Sequence, residues 1–352
     1  MNRFDYIRPA SAAEAVAAAS QPGSAYLAAG TNLVDLMKTG AARPQRLVDI
    51  TRLPGLDRIE RLTDGTLRIG ALVRNSDLAY DPGVQRDFPA LAEALLSGAS
   101  PQLRNAATVG GNLLQRTRCP YFHDPASACN RREAGSGCDA RGGENRLHAI
   151  LGWSEACIAT HPSDLCVPLA ALDAVVELEG PDGAREIALE ALHRLPGDAP
   201  HQETELRPGE LIVAVRLPAE AAAVARQSRY LKVRERTSYA FAVVSAAVGL
   251  ELEGGAIRSA RLALGGVAAK PWRARSAEAA LAGAPAAPEA FARAAELALA
   301  GARPSGENEF KIELARRTLV RALNLAAAGA PEVMPALPAS PFAPFPGASH
   351  VA

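Results

Sequence analysis

Four cysteines occupy one turn-rich stretch of the chain, at Cys119, Cys129, Cys138 and Cys157. Their spacing is Cys-x9-Cys-x8-Cys-x18-Cys, and the chain holds only one further cysteine, Cys166. An iron–sulfur cubane needs four thiolates that converge on one point, and a segment rich in Gly and Pro can fold back to deliver them. This concentration of cysteine favours a ligand set over ordinary core residues.

The spacing alone leaves other uses of the four thiols open, although it favours iron–sulfur. Structural zinc sites prefer close pairs such as Cys-x2-Cys, and this stretch has none. Two disulfides would also use four cysteines, but disulfides commonly support small secreted domains, and 352 residues can build a core without them. The remaining alternative is four unliganded thiols.

Five arginines accompany the cysteines, and their local positive charge has two interpretations. The favoured interpretation is a solvent-exposed loop, and the alternative interpretation is a phosphate-binding site. The five are Arg116, Arg118, Arg131, Arg132 and Arg141.

Two glycine-containing segments could bind a phosphate-bearing cofactor. Residues 27–37, LAAGTNLVDLM, put a glycine and two small polar residues between a predicted strand and a predicted helix. Residues 102–115, QLRNAATVGGNLLQ, carry Gly110-Gly111 with hydrogen-bonding side chains on either side. Glycine lets a ligand approach the backbone, and N–H groups at a helix start bind phosphate. Each segment alone is typical of an ordinary turn; beside four clustered thiols, the two together indicate a flavin dinucleotide.

The composition is that of an ordinary globular protein. Apolar residues make up 48% of the chain and the net charge is +0, so nothing favours nucleic acid or an anionic membrane as a partner. The longest apolar run, which starts at Ala240, is shorter than the ~20 residues of a membrane span. The start of the chain has no apolar signal core, so we expect no export signal of its own.

The hydrophobic pattern predicts an α/β first part and an α+β last part. A helix is expected after Ser11, strands near residues 25–29, 47–50 and 67–72, and a helix that ends near Gly98. Residues 166–180, 185–192 and 210–218 show strand character. Residues 229–267 predict three antiparallel strands that turn at Gly254-Gly255, and three helical segments follow.

The two glycine segments, in this order, closely resemble those of the FAD-binding subunits of the molybdenum hydroxylases, the xanthine dehydrogenase and carbon monoxide dehydrogenase family. The resemblance extends to about residue 330. It implies an α+β protein with a PCMH/VAO-type FAD-binding fold of two subdomains, followed by a C-terminal domain with a three-stranded antiparallel sheet and helices. The implied FAD-binding domain covers 1–222, with subdomains of about 1–54 and 55–222, and the C-terminal domain covers 223–330.

The cysteine-bearing segment narrows the resemblance. Most such subunits pass almost directly from the Gly-Gly-Asn turn to the segment that is IATHPSDL here, whereas this chain inserts residues 116–157. The pattern RCPYF, CNRR, GSGC and CIAT is similar to that of the flavin subunits of periplasmic aldehyde oxidoreductases, which carry an additional [4Fe–4S] cluster. The resemblance assigns that cluster to Cys119, Cys129, Cys138 and Cys157, and leaves Cys166 as a small buried residue.

The resemblance also implies the residues that contact FAD. The second phosphate and ribityl contacts match Thr108, Gly111 and Asn112, and Asp164 matches another cofactor contact. Ile212 and Lys232 match positions beside the isoalloxazine or adenine. The pyrophosphate is expected on Leu27, Ala28, Ala29, Gly30, Thr31, Asn32, Leu33 and Val34.

As an expectation, the chain is the FAD and [4Fe–4S] electron-transfer subunit of a heterotrimeric aldehyde oxidoreductase, with no catalytic acid or base of its own. A large partner would hold the molybdenum cofactor, a small partner two [2Fe–2S] clusters, and an external acceptor would take the electrons. Alternatives are a flavin subunit that serves a purine or N-heterocycle hydroxylase and a zinc-stabilised scaffold without redox work. The expected compartment is the periplasm, by co-export with a signal-bearing partner; the cytoplasm is the alternative.

Residues 331–352 are rich in proline, which neither a helix nor a central strand tolerates well. They predict an extended tail. Phe342 and Phe345 leave two interpretations equally open, a disordered tail or an arm that lies on a partner surface.

Overall fold

The computed structural model describes residues 1–331 of the chain. The predicted tail, with Phe342 and Phe345, lies outside the described residues except for Pro331. Residues 1–331 form three β-sheets with helices packed against them, which confirms the α+β prediction. Within this range, no helix is long and apolar enough to cross a membrane.

Residues 5–49 form a small parallel sheet that carries two helices. The elements are β1 (Asp5–Ile7), α1 (Ala12–Ala19), β2 (Ser24–Leu27), α2 (Leu33–Thr39) and β3 (Arg46–Asp49). The central strand is β3, paired with β1 on one side and β2 on the other. Ser11 caps α1 as predicted, since its hydroxyl accepts a hydrogen bond from the Glu14 N–H at 3.2 Å.

The next part of the chain begins with a hairpin and continues as a series of short helices. The helix predicted to end near Gly98 is present and ends at Ser97. The elements are β4 (Ile59–Arg61), β5 (Leu67–Gly70), α3 (Asn75–Tyr80), α4 (Pro82–Asp87), α5 (Pro89–Ser97), α6 (Pro101–Arg104) and α7 (Val109–Leu113).

The cysteine-bearing insertion, residues 116–157, is mostly irregular. Its regular pieces are α8 (Pro120–His123) and a 3-10 turn (Asp139–Arg141). Cys129 and Cys138 face each other as an isolated antiparallel pair, so the loop folds back on itself at that point. The segment just before Cys157 is tied to the C-terminal domain, because the N–H groups of residues 150 and 151 both donate to one carbonyl, that of residue 267.

After the insertion the chain completes a five-stranded antiparallel sheet. The elements are α9 (Cys166–Ala171), β6 (Val175–Gly180), β7 (Gly183–Ala188), α10 (Leu189–Leu192) and β8 (Leu211–Leu217). The strand order is β4-β5-β8-β6-β7, so β8 joins the early hairpin to the late one. Through β8, the strands before the insertion and the strands after it belong to one sheet.

The last part of the described chain is a second antiparallel sheet backed by helices, introduced by a 3-10 segment (Ala219–Gln227). The sheet order is β12-β11-β10-β9, and α13 packs on β10 and β9. The elements are β9 (Ser228–Val233), β10 (Val244–Glu253), β11 (Ala256–Gly265), β12 (Trp272–Arg273), α11 (Arg275–Leu281), α12 (Pro288–Ala298) and α13 (Phe310–Ala327).

The two largest of the four apolar cores in the described residues underlie the two antiparallel sheets. One underlies the five-stranded sheet and includes Ile69, Phe88 and Val215, all nearly inaccessible to solvent. The other lies between the C-terminal sheet and its helices and includes Phe291 and Leu319. Each such side chain contributes roughly 1.5–3 kcal/mol through burial.

Four details of the prediction are wrong. Residues 166–171 form helix α9 rather than a strand, and residues 189–192 form α10, because continuous apolar runs do not distinguish a buried helix from a buried strand. The C-terminal sheet has a fourth strand, β12, whose two residues are too few to give a pattern. Gly110-Gly111 lies within the short helix α7 rather than in a turn between elements.

Candidate functional site

A cavity of about 810 Å³ lies where both glycine segments, residues 160–165 and β9 meet. Its volume falls within the ~300–1,000 Å³ range of small-molecule and cofactor sites. The cavity also reaches the insertion, since Thr117, Arg118 and Cys119 line it.

The first glycine segment offers bare backbone to this cavity. Gly30 has a φ of +75°, and a Cβ there would lie 2.7 Å from Val34 Cγ2, so a side chain does not fit. Within the part of the chain that is described, the N–H groups of Thr31 and Asn32 make no hydrogen bond. The Asn32 side chain has a buried Nδ2 without a partner, while its Oδ1 accepts the Arg116 N–H at 3.0 Å. Unpaired donors at a cavity wall fit an anionic ligand such as a pyrophosphate.

The second glycine segment presents a short helix to the same cavity. Thr108 caps α7, because its Oγ1 accepts the Gly111 N–H at 3.3 Å. Gly111 is exposed and lines the cavity, and a Cβ there would meet only Thr108 Oγ1, at 3.2 Å. Asn112 is fixed by Ser163, whose hydroxyl donates to Asn112 Oδ1 at 2.7 Å. The bare backbone at Gly111 therefore leaves room for a ligand.

A buried ion pair closes another wall of the cavity. Lys232 on β9 donates to Asp164 Oδ2 at 2.8 Å and to the Ser97 carbonyl at 3.2 Å, and its side chain is 3% exposed. The Tyr230 hydroxyl donates to Asp164 Oδ1 at 2.5 Å. Burial and the Asp164 charge hold the pKa of Tyr230 well above its usual value, so Tyr230 stays a neutral donor. Asp164 thus connects the loop after the insertion to the C-terminal domain.

The structure brings eight of the fourteen predicted FAD residues to the cavity wall. They are Gly30, Thr31, Asn32, Val34, Gly111, Asn112, Asp164 and Lys232. Thr108 supports the wall from behind as the α7 cap, and Ile212 is a core residue of β8 that packs away from the cavity. Leu33 and the three residues 27–29 lie in the first segment but are not in the wall.

Several cavity residues were missed by the sequence reasoning. His148, His161 and Ser163 line the cavity, and Tyr230 supports Asp164. His161 and Ser163 belong to the same THPSD run as Asp164, so the polar character of that run was a usable signal. His148 gave none, because it stands in an irregular stretch without a pattern.

The four insertion cysteines form a group of free thiols. Cys129 and Cys157 are buried, and Cys119 and Cys138 are partly exposed. Burial raises the pKa of Cys119 to about 12, and the neighbouring thiols of Cys129 and Cys157 add to the rise. Burial, together with Cys157, also raises the pKa of Cys138. Each thiol therefore has at least one other as an electrostatic neighbour, as a shared ligand site requires.

Polar groups of the protein lie against the sulfurs of Cys119 and Cys157. His148 Nε2 is 3.2 Å from Cys119 Sγ, and the Ala159 N–H donates to Cys157 Sγ at 3.5 Å. Arg131 is only 6% exposed and lies beside Cys157, so the solvated-loop interpretation is wrong for this arginine. The guanidinium of Arg131 can be buried in the insertion because the Glu203 carboxylate lies 2.8 Å from it.

The fifth cysteine, Cys166, is fully buried in α9. Its sulfur and one nitrogen each of His161 and His193 lie within 4.8 Å of one another. Burial lowers the pKa of His193 to about 4 and that of His161 well below its usual value, with Lys270 and Arg131 adding to the effect. Both imidazoles are therefore neutral, and the core role of Cys166 stays a prediction.

Comparison with known proteins gives two matches to family models. A family described as "FAD binding domain in molybdopterin dehydrogenase" matches residues 2–220. A second, described as "CO dehydrogenase flavoprotein C-terminal domain", matches residues 229–326. Together they span almost all of the described chain.

Relatives agree with these matches. The aldehyde oxidoreductase FAD-binding subunit PaoB of Escherichia coli K12 is 51% identical over 326 residues, which cover 92% of this chain and 98% of PaoB. The carbon monoxide dehydrogenase medium chain of Hydrogenophaga pseudoflava is 30% identical over 92% of this chain and 97% of its own. A solved structure of reconstituted CO dehydrogenase from Oligotropha carboxidovorans superposes with a TM-score of 0.74 at 28% identity, covering 94% of this chain and 99% of that one. The chain is therefore an oxidoreductase subunit and belongs to the FAD-binding subunits of the molybdenum hydroxylase family.

Proposed function

We propose that this chain is the FAD and [4Fe–4S] electron-transfer subunit of a molybdenum-dependent aldehyde oxidoreductase. It would receive electrons from the [2Fe–2S] clusters of a small partner and deliver them to an external acceptor. Aldehyde oxidation itself would take place on a large partner that holds the molybdenum cofactor.

The observation that carries the proposal is that the cysteine-bearing insertion forms part of the cavity wall. Cys119 and His148 line the same cavity as Gly30, Gly111 and Asn112. The Asn32 side chain also accepts the N–H of Arg116, where the insertion begins. A cluster on the insertion would therefore adjoin the flavin, as electron exchange between them requires.

The chain's own residues would bind and orient these groups. Bare backbone at Gly30 and Gly111 leaves room for the cofactor, and the free N–H groups of Thr31 and Asn32 would donate to its pyrophosphate. Cys119, Cys129, Cys138 and Cys157 would supply the thiolates of the cluster. When bound, FAD accepts two electrons and exchanges them singly with an iron–sulfur centre.

Aldehyde is the proposed substrate class of the complex because the relative that is 51% identical is an aldehyde oxidoreductase subunit. The carbon monoxide dehydrogenase medium chain, at 30%, is much less similar. A subunit that serves a purine or N-heterocycle hydroxylase is the alternative, and a zinc-bearing insertion is the alternative for the four thiols.

We also propose a heterotrimer in the periplasm, exported together with a partner that carries the signal. Fractionation of cells that express all three subunits tests this, since the chain should appear in the periplasm only when the small partner keeps its signal. Recovery in the cytoplasm with every partner present would contradict it.

The function is tested on the heterotrimer, which is mixed anaerobically with an aldehyde while the flavin absorption at about 450 nm is recorded. We expect aldehyde to bleach this band, and xanthine or an N-heterocycle to leave it unchanged. The Cys119→Ser variant should slow the bleaching, whereas the Cys166→Ser variant should match wild type. Bleaching by an N-heterocycle alone would reassign the substrate class.

A further inference from the structure

Arg131 occupies an unusual electrostatic position in the insertion. Its side chain is only 6% exposed, and it donates to Glu203 Oε2 at 2.8 Å. Arg116 pairs with the same carboxylate, through Oε1. Two guanidinium groups thus share one carboxylate, which leaves one positive charge without a compensating carboxylate there. An unbalanced buried charge is costly unless an anion lies nearby.

The anion that fits this position is the cysteine group. Arg131 follows Cys129 by two residues, and the adjacent Asn130 donates to the Ala156 carbonyl at 3.1 Å, which places the Arg131 segment beside Cys157. Among the described residues, the buried Nε of Arg131 has no hydrogen-bond partner, and Cys157 is an electrostatic neighbour of the guanidinium. A cluster held by four thiolates carries net negative charge, so it would balance the excess positive charge of the Arg116–Glu203–Arg131 group.

We propose that Arg131 raises the reduction potential of the cluster on Cys119, Cys129, Cys138 and Cys157, and that Glu203 limits the rise. The inference rests on the [4Fe–4S] cluster proposed above. Reduction adds one negative charge to the cluster, and a buried guanidinium near its cysteine ligands stabilises that charge. Glu203 opposes the effect because its carboxylate partly cancels the guanidinium charge. The pair would thereby set how electrons divide between the cluster and the flavin.

The test is a redox titration of the anaerobically purified chain, followed by electron paramagnetic resonance, with iron content measured on each sample. Arg131→Gln should lower the cluster potential, and Glu203→Gln should raise it. We expect each change to alter the electron-transfer equilibrium constant at least tenfold, which corresponds to about 59 mV for one electron. Arg141→Gln is the control: it removes an arginine from the same insertion, but one that pairs with Glu155 at the surface.

Opposite shifts in the two variants, with wild-type iron content and an unshifted control, would support the inference. An Arg131→Gln protein with full iron and an unchanged potential would overturn it while leaving the proposed function intact. If the Arg131→Gln protein does not retain iron, the inference is tested on Glu203→Gln alone. An unchanged cluster potential in the Glu203→Gln protein would also overturn it. A wild-type chain without iron and sulfide would instead contradict the proposed function itself.

Discussion

At the scale of single residues, the cofactor cavity depends on positions where a side chain is absent. Gly111 is one of them, since it lines the cavity and a substituent there would extend into it. We expect Gly111→Val to weaken FAD binding at least tenfold, about 1.4 kcal/mol, as measured by flavin content and titration with FAD. Gly142→Val is the control, because Gly142 is exposed and a Cβ there meets nothing within 4 Å. Unchanged FAD affinity in Gly111→Val would refute the site assignment.

The buried Lys232–Asp164 pair makes a prediction about stability. Removing the lysine charge leaves Asp164, whose side chain is 10% exposed, without its cation. We expect Lys232→Met to lower the free energy of unfolding by about 3–5 kcal/mol, and the Asp164→Asn/Lys232→Met double variant to recover part of this loss. Chemical denaturation measures both.

A matched control for that prediction lies on α13. Glu313 forms exposed ion pairs with Arg316 and Arg317, so Glu313→Gln should cost far less stability than Lys232→Met. If Lys232→Met were as mild as Glu313→Gln, the pair would contribute little to the fold.

At the scale of elements, the insertion is held by α13 of the C-terminal domain. Lys311 is fully buried and donates to three carbonyls, those of Leu147 at 3.0 Å, His148 at 2.8 Å and Gly266 at 2.7 Å. His148 in turn lies against Cys119. Lys311 thus fixes the segment that joins the cysteines to the cavity.

Burial lowers the pKa of Lys311 from 10.5 to about 7, with the Arg146 charge adding to the effect. The unfolded chain therefore binds more protons than the fold between pH 7 and about 10.5, and the lysine's contribution to stability increases with pH across this window. We expect the difference in unfolding free energy between wild type and Lys311→Met to grow with pH, by at most about 1.4 kcal/mol per unit. A Lys38→Met control, at an exposed lysine, should show no such trend. A difference independent of pH would show that Lys311 keeps its proton throughout.

Local signals in the sequence predicted most elements, and the failures have identifiable physical causes. Ser11 as a cap and the apolar periodicity of α12 and α13 specify those helices locally. The helix α9 was predicted as a strand because its residues are buried on every side and show no period. The two-residue strand β12 exists only through its pairing with β11, which no local pattern encodes.

Residue type was a sufficient signal to select Gly30, Asn112 and Cys119, which the structure places in the cavity wall, while their roles toward a cofactor stay predictions. Positions that act through distant packing were not predictable. Arg131 was interpreted as solvated because its burial depends on Glu203, 72 residues away. Ile212 was assigned to the cofactor, but β8 carries it into the core under the five-stranded sheet.

At the scale of the whole molecule, we predict that residues 332–352 contribute to assembly with the partner subunits. Burying two phenylalanines on a partner would contribute roughly 1.5–3 kcal/mol each. We therefore expect Phe342→Ser/Phe345→Ser, like deletion of 332–352, to reduce co-elution with the large and small subunits while FAD content stays constant. Ser340→Ala serves as the control. Full co-elution of the deleted chain would mean that the tail has no role in assembly.

The measurement that tests the account most directly is the cofactor content of the anaerobically purified chain and of its five single Cys→Ser variants. We expect the wild type to hold one FAD with about four iron and four sulfide. Serine at Cys119, Cys129, Cys138 or Cys157 should lower iron sharply, because an alkoxide is a poorer ligand than a thiolate, whereas serine at Cys166 should leave it unchanged. Zinc instead of iron in the wild type, or iron loss confined to the Cys166 variant, would contradict the central claim.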